Sequence, residues 1–194
     1  MRLAILLSGR GSNFEAIYRA NVAQIVCVIS NRSDAPGIAR ARELGLTAHV
    51  FDHRNYPTRE AHEEDVLRAI AEAEPDFIAL AGYMRLLSPA FVAAYPHRIL
   101  NIHPSLLPAF PGVDAQAQAL RYGVRVSGCT VHFVDENLDA GPIIVQRAVT
   151  VLDGETADSL AARILEQEHI AYVEALVALS SRKWRVEGRR VVFG

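Results

Sequence analysis

Cysteine is scarce in this chain: Cys27 and Cys129 are the only two among 194 residues, too few for a disulfide framework. Both lie in apolar, strand-like runs, which reads as two buried, reduced thiols in a cytoplasmic protein. Long hydrophobic runs are missing as well. None approaches the roughly 18 residues of a membrane span. The apolar stretch near the amino end, Leu3–Leu7, falls short of the roughly 7–15 residues of a signal-peptide core, and a glycine loop follows it at once. It reads as a first strand. Excess charge is lacking too: Lys and Arg total 20 against 22 Asp and Glu, a formal net charge of -2. That leaves no electrostatic footprint for nucleic acid or for an anionic membrane. No metal-ligand spacing links the histidines, and neither cysteine has a partner motif, so no metal is expected. A nucleophile elbow is absent, which points to direct transfer between two bound substrates without a covalent enzyme intermediate.

What is present is an alternation. Half of the residues, 51%, are hydrophobic, ample for a packed core. Strand-like runs (Leu3–Ser8, Ile25–Ser30, Thr47–Phe51, Phe77–Ala81, Ile99–His103) alternate with helical patterns (Asn13–Ala20, Gly37–Leu44, Arg59–Glu74 and a short one near Pro89–Ala94). Continuously apolar strands such as Leu-Ala-Ile-Leu-Leu indicate burial on both faces, as in a parallel sheet covered by helices. With right-handed crossovers this predicts an α/β fold with an open, doubly wound sheet. After Pro108 the style changes. A helix (Asp114–Tyr122) leads to two runs, Arg125–Val134 and Pro142–Val151, expected to pair antiparallel. A long helix from Thr156 to about Ser180 follows, with Leu160, Ile164, Ile170, Val173 and Leu176 as its apolar positions. Trp184–Phe193 reads as a closing hairpin around Glu187-Gly188. Without repeats, low-complexity stretches or a linker, residues 1–194 are expected to form a single domain.

Three segments carry chemistry. Asn-Ile-His-Pro-Ser-Leu-Leu-Pro, Asn101–Pro108, places an amide and an imidazole at strand spacing, so both share one face. An amide can hold an oxyanion and a histidine can move protons near neutral pH. Ser-Gly-Arg-Gly-Ser-Asn, Ser8–Asn13, joins the first strand to the first helix. Gly9 and Gly11 permit positive φ and close backbone approach, and Ser12 with Glu15 is a capping-box pattern. The free amides of that helix end favour a phosphate, a monophosphate rather than ATP since no Walker lysine follows. The alternative is a glycine turn that merely links strand to helix. Finally, Asp135–Pro142 is an acidic loop between two later strands. It is either a solvated turn or a source of a carboxylate, Asp139, for His103.

Taken together, Ser8–Asn13, Ala81–Pro89, Asn101–Gly112, Gly128–Ile144 and Glu166–His169 resemble, in that order, the folate-dependent formyltransferase family, and within it the phosphoribosylglycinamide formyltransferases. The resemblance covers essentially the whole chain. It implies a Rossmann-like formyltransferase fold, mostly parallel, with antiparallel C-terminal strands and a long C-terminal helix. Residues 1–100 would be the phosphate-binding half and 101–194 the catalytic and folate-loop half. It implies transfer of a formyl group from 10-formyltetrahydrofolate to the amino group of 5-phosphoribosylglycinamide in de novo purine biosynthesis. Asn101, His103 and Asp139 match the family's catalytic trio. Gly11, Ser12, Asn13 and Glu168 match its ribonucleotide contacts. Met84, Arg85, Leu86 and Leu87, with Asp135, Glu136, Asn137 and Leu138, would line the folate, whose carboxylate tail would meet Arg59. Apart from the resemblance, Met84–Leu87 would be a connection with core leucines, Arg59 a surface charge and Glu168 an exposed acid on a long helix. The segment after Gly112, Val-Asp-Ala-Gln-Ala-Gln-Ala-Leu, departs from some relatives and receives no catalytic role.

Small-molecule substrates are expected, with no nucleic acid and no membrane partner, in a monomer or homodimer. A methionyl-tRNA formyltransferase would need a basic RNA-binding module that neither length nor charge provides. A formyltetrahydrofolate hydrolase could use the same trio, but has no ribonucleotide for the phosphate loop and Glu168 to hold. A catalytically dead binding domain is expected to have lost one of Asn101, His103 or Asp139, and all three are present.

Overall fold

Five consecutive side chains, Leu3–Leu7, have no solvent exposure, as a strand buried on both faces requires. They form the body of β1 (Arg2–Leu7). The computed structural model describes all residues, Met1–Gly194, and the chain divides into two compact units, Met1–Leu100 and Asn101–Gly194.

In the first unit β1 lies between β2 (Gln24–Ser30) and β4 (Phe77–Leu80), with β3 (Ala48–Val50) beyond β2, and every pairing is parallel. The chain steps outward from β1 to β2 and β3, then returns to the other side of β1. With right-handed crossovers this order is a doubly wound sheet, and the carboxyl end of β1 is its switch point. The linking helices are α1 (Ser12–Ala20), α2 (Pro36–Glu43), α3 (Arg59–Ala73) and α4 (Pro89–Ala94). The last two start where side chains satisfy orphan amides: Thr58 accepts from the Ala61 amide and Ser88 from that of Phe91.

β5 (Ile99–His103) carries the boundary between the units. In the second unit, helix α5 (Ala115–Tyr122) is followed by β6 (Val126–Phe133) and β7 (Ile143–Thr150), which pair antiparallel as expected. Their register slips between Val131 and His132: Val131 faces Val145 but His132 faces Ile143. The unpaired extra residue, Ile144, lies on β7, opposite the end of β6, and bulges of this kind bend the strand that carries them. The closing hairpin pairs β8 (Trp184–Glu187) with β9 (Arg190–Phe193).

The long helix α6 (Ala157–Ser181) begins at a Thr156–Ser159 capping box. The expectation for its buried stripe needs correction. Leu160, Ile164 and Leu176 are buried, but Ile170 is 43% exposed and Val173 only half-buried. The stripe instead runs through Leu160, Ile164, Glu168, Ala171, Tyr172, Ala175, Leu176 and Leu179, following the i+3 and i+4 steps of one face. Ile170 lies two residues past Glu168, hence on the opposite side. Glu168, at 9% exposure, is therefore no exposed acid.

Candidate active site

The loop between β1 and α1 belongs wholly to the first unit. Gly11 adopts φ 78° and is itself the residue before the helix, with no side-chain cap. Ser12 is thus the first helical residue, and the capping box expected from Ser12 and Glu15 is not formed. Glu15 instead pairs with Arg19 at 2.7 Å and Arg40 at 3.8 Å. Gly9 does not need positive φ; its carbonyl accepts from the Gly37 amide at 3.0 Å. A Cβ on Gly37 would lie 3.1 Å from the Gly11 Cα and 2.9 Å from Leu7 Cδ2. Gly11 and Gly37 therefore let two backbones cross at van der Waals distance, a contact invisible in the loop motif alone. Ser8 ties the loop to the segment after β4: its amide donates to the Gly82 carbonyl at 3.0 Å, and the Met84 amide donates to its hydroxyl at 2.8 Å. With Gly11 holding the turn, the first amides of α1 remain directed at the carboxyl end of the sheet, the geometry that suits an anion.

In that same segment Met84 is 79% and Leu86 64% exposed, and Leu87 is half-buried, which goes against the alternative of a connection with core leucines. Exposed apolar side chains next to a switch point are available to a flat ligand. Arg59, the first residue of α3, reaches the Leu86 carbonyl at 3.5 Å through its Nη1. Arg85 is half-buried.

In the second unit, Asn101, His103 and Asp139 converge. Asn101 and His103 share a face of β5, as spacing two requires. Asp139 sits in the hairpin loop between β6 and β7 with φ 50°. Its Oδ2 lies 3.4 Å from His103 Nδ1, and the two side chains are 8% and 6% exposed. Within the same loop the Asn137 amide donates to Asp135 Oδ1 at 2.9 Å, while Glu136, Asn137 and Leu138 are exposed.

Three contributors to this cluster were not anticipated. The first is His132, 2% exposed. Its Nδ1 donates to the Phe133 carbonyl at 2.9 Å, and its Nε2 lies 3.4 Å from Asn101 Nδ2 and 3.8 Å from Asp139 Oδ1. Burial pushes this imidazole below its ordinary value, so its neutral Nε2 can accept from the Asn101 amide. The signal was a polar residue at the end of an apolar strand, in Thr-Val-His-Phe-Val. The other two contributors are backbone groups. His103 Nε2 lies 2.9 Å from the Phe110 carbonyl, and the Gly112 amide donates to Asp139 Oδ2 at 2.9 Å. Because a carbonyl only accepts, Nε2 carries the proton. The ring is thereby oriented by a short backbone contact, with its Nδ1 edge turned to the carboxylate.

Glu168, from the middle of α6, raises the Cys129 and Tyr172 acids through its charge, although burial is the larger cause for both. Cys27 and Cys129 are free and buried, with thiols pushed up to about 11 and about 12. No group of three or more His, Cys, Asp or Glu could hold a metal ion. No helix is long and apolar enough to cross a membrane.

Comparison with known proteins places this geometry in context. A family model described as "Formyl transferase" matches residues 1–176. The phosphoribosylglycinamide formyltransferase of Escherichia coli (strain K12) is 41% identical over 194 residues, covering 97% of this chain and 89% of that protein. The trifunctional purine biosynthetic protein adenosine-3 of Drosophila pseudoobscura pseudoobscura is 46% identical over 187 residues, 93% of this chain. The chain spans only 14% of that relative's length. Among solved structures, glycinamide ribonucleotide transformylase 1 from Symbiobacterium toebii superposes with a TM-score of 0.96 at 46% identity, covering 100% of this chain and 93% of that one.

Proposed function

This chain belongs to the formyl transferase family, and from that premise we propose that it transfers the formyl group of 10-formyltetrahydrofolate to the amino group of 5-phosphoribosylglycinamide, a step of de novo purine biosynthesis. The observation that carries the reading is the buried His103–Asp139 pair at 3.4 Å, beside an amide side chain on the same strand face. The amine nitrogen attacks the formyl carbon, and a new N–C bond forms as the carbonyl oxygen gains negative charge. An Asn101 N–H stabilises that oxyanion. The attacking amine loses a proton and the folate nitrogen gains one as its C–N bond breaks. His103 serves both transfers at its Nδ1 edge, which it shares with Asp139, while Phe110 keeps Nε2 occupied. Asp139 stabilises the imidazolium that forms between the two transfers. His132 holds the Asn101 amide.

Substrate binding divides along the chain. Gly11, Ser12 and Asn13 take the phosphate and ribose, supported by the open helix end, and Glu168 takes ribose hydroxyls. Arg59 with Met84, Arg85, Leu86 and Leu87, and the loop residues Asp135, Glu136, Asn137 and Leu138, serve the folate. The exposure of Met84 and Leu86 supports this. Residues 1–194 act as one formyltransferase domain, 1–100 as its phosphate-binding half and 101–194 as its catalytic and folate-loop half. The enzyme works in the cytoplasm on small molecules, without metal, nucleic acid or membrane, as a monomer or homodimer.

The test follows deformylated folate by absorbance, with purified protein and 10-formyltetrahydrofolate, in the presence and absence of the glycinamide ribonucleotide. Turnover only with the ribonucleotide is the expected result. Equal rates in both cuvettes would make the protein a hydrolase.

A further inference from the structure

The segment after Gly112 received no role from its sequence, yet it adjoins the groups that hold both members of the His103–Asp139 pair. Phe110 and Gly112 reach that pair through main-chain atoms, so their side chains say nothing of the contact. Their backbone is left-handed: Phe110 has φ 55°, Gly112 φ 78° and Asp114 φ 56°, a region glycine enters freely but a bulky residue such as Phe110 rarely adopts. Three left-handed residues within five, two of them not glycine, do not hold this shape unaided. Something outside the turn must fix it.

Helix α5 supplies that fixation. Gln118 Nε2 donates to the Val113 carbonyl at 2.8 Å and to the Pro111 carbonyl at 3.1 Å. One side-chain amide therefore grips the turn on both sides of Gly112, using both of its N–H donors. Tyr122, four residues on and hence on the same helix face, sets its ring edge against Phe110, centroids 5.8 Å apart. The Gly112 amide and the Phe110 carbonyl are thus aimed from the helix.

Resting on the functional reading above, we propose that Gln118 is a positioning residue for formyl transfer. It acts through residues 110–113, whose Phe110 carbonyl orients His103 and whose Gly112 amide anchors Asp139, and Tyr122 supports it from the same helix face. The charged and titratable groups around His103 are Asp139 and, beyond it, His132; Gln118 touches none of them directly. Its influence passes only through the turn.

The test is Gln118→Glu, which keeps the shape but sets a carboxylate against two carbonyl oxygens. Gln118→Lys, which restores donors, is the rescue. Melting temperature controls for folding, and Gln118 is only half-buried. Gln118→Glu should lower kcat by about tenfold to ~100-fold, the scale of an ångström misplacement, while both KM values stay within about twofold. Gln118→Lys should recover most of the loss. In parallel, the His103 Nε2–H resonance, assigned by its loss in His103→Ala, should broaden or shift in Gln118→Glu. That measurement needs no substrate, so it decides the proposal even if the wild-type protein transfers no formyl group. An unchanged resonance in Gln118→Glu overturns the proposal, whatever the rate does. So does wild-type kcat in a folded Gln118→Glu protein.

Discussion

Gly141→Ala is the most demanding prediction, because one methyl group separates a folded loop from a working one. Gly141 follows Asp139 by two residues, and a Cβ there would lie 1.9 Å from the Phe133 carbonyl oxygen and 2.9 Å from its carbon. Real Cβ contacts stop near 3.0 Å, so the two backbones must part by roughly 1 Å in an interior packed like a crystal. Neither can yield cheaply. Phe133 closes the β6–β7 ladder through its amide to Pro142 at 2.9 Å, and its carbonyl accepts from His132 Nδ1 at 2.9 Å. Overpacking of this kind sits at the upper end of ~1–3 kcal/mol. For a chain of this size a kcal/mol lowers the melting temperature by roughly 2–4 °C, so a fall of about 6–12 °C is expected. The same displacement moves Asp139 and His132 relative to His103 and Asn101, at a loss of ~100-fold in kcat. Thermal melts and steady-state rates read both effects, with Gly9→Ala as the stability control because its Cβ would meet nothing within 4 Å. A Gly141→Ala protein that melts with the wild type and turns over normally would refute the account of the loop.

Asp139→Asn preserves size but removes the charge facing His103 Nδ1; kcat should fall by ~10²- to 10⁴-fold, and undiminished turnover would exclude the coupling. Ser12→Ala should raise KM for the ribonucleotide while leaving the melting temperature alone, since Gly11 rather than Ser12 precedes α1; a large melting shift would restore the capping role to Ser12. Burial holds both His62 and His132 below the ordinary value of 6.5. The unfolded chain therefore binds more protons than the native one just below that pH. Their contribution to stability is full above 6.5 and declines as pH falls toward the native values. Denaturant melts across the acid range should show this decline, and His62→Gln should flatten it; stability that rose on acidification would contradict the burial argument.

Apolar periodicity revealed most of the fold. Leu3–Ser8, Phe77–Ala81 and Ile99–His103 read as strands because their apolar residues are continuous, and β1, β4 and β5 form there with mostly buried side chains. The antiparallel pairing of β6 with β7 followed from two long β-branched runs around an acidic turn. Errors arose where a residue type supported two readings. Ser12 and Glu15 have the spacing of a capping box, yet the cap position falls on Gly11, which combines φ 78° with a close approach to Gly37, whose Cα would lie 3.0 Å from an added Cβ. Ile170 and Val173 are apolar enough to suggest the core stripe, yet the helix turns them away and buries Glu168. At 84–87 the residues left two readings open, a ligand wall or a connection with core leucines, and the exposure of Leu86 goes against the second.

The candidate site was legible where its chemistry lies in side chains and obscure where it lies in backbone. Asn101 and His103 stand out because an amide and an imidazole at strand spacing close an apolar run, whereas Asp139 lies in an acidic turn of ordinary composition and gains its meaning from the approach to His103. The Phe110 carbonyl and the Gly112 amide carry no residue code, since any amino acid but proline offers the same two groups. What encodes them is indirect: a glycine that tolerates φ 78°, and a glutamine one helical turn away that binds the carbonyls on either side. His132 lies between the extremes. Its side chain is distinctive, but its pairing with Ile143 follows a register slip that skips Ile144 on β7, and such slips leave no periodic trace. The geometry of the candidate site thus involves three backbone irregularities: the register slip between β6 and β7, the left-handed turn at 110–114 and the close approach at Gly141. The predictions that discriminate best are accordingly those that disturb the main chain without touching the reacting side chains.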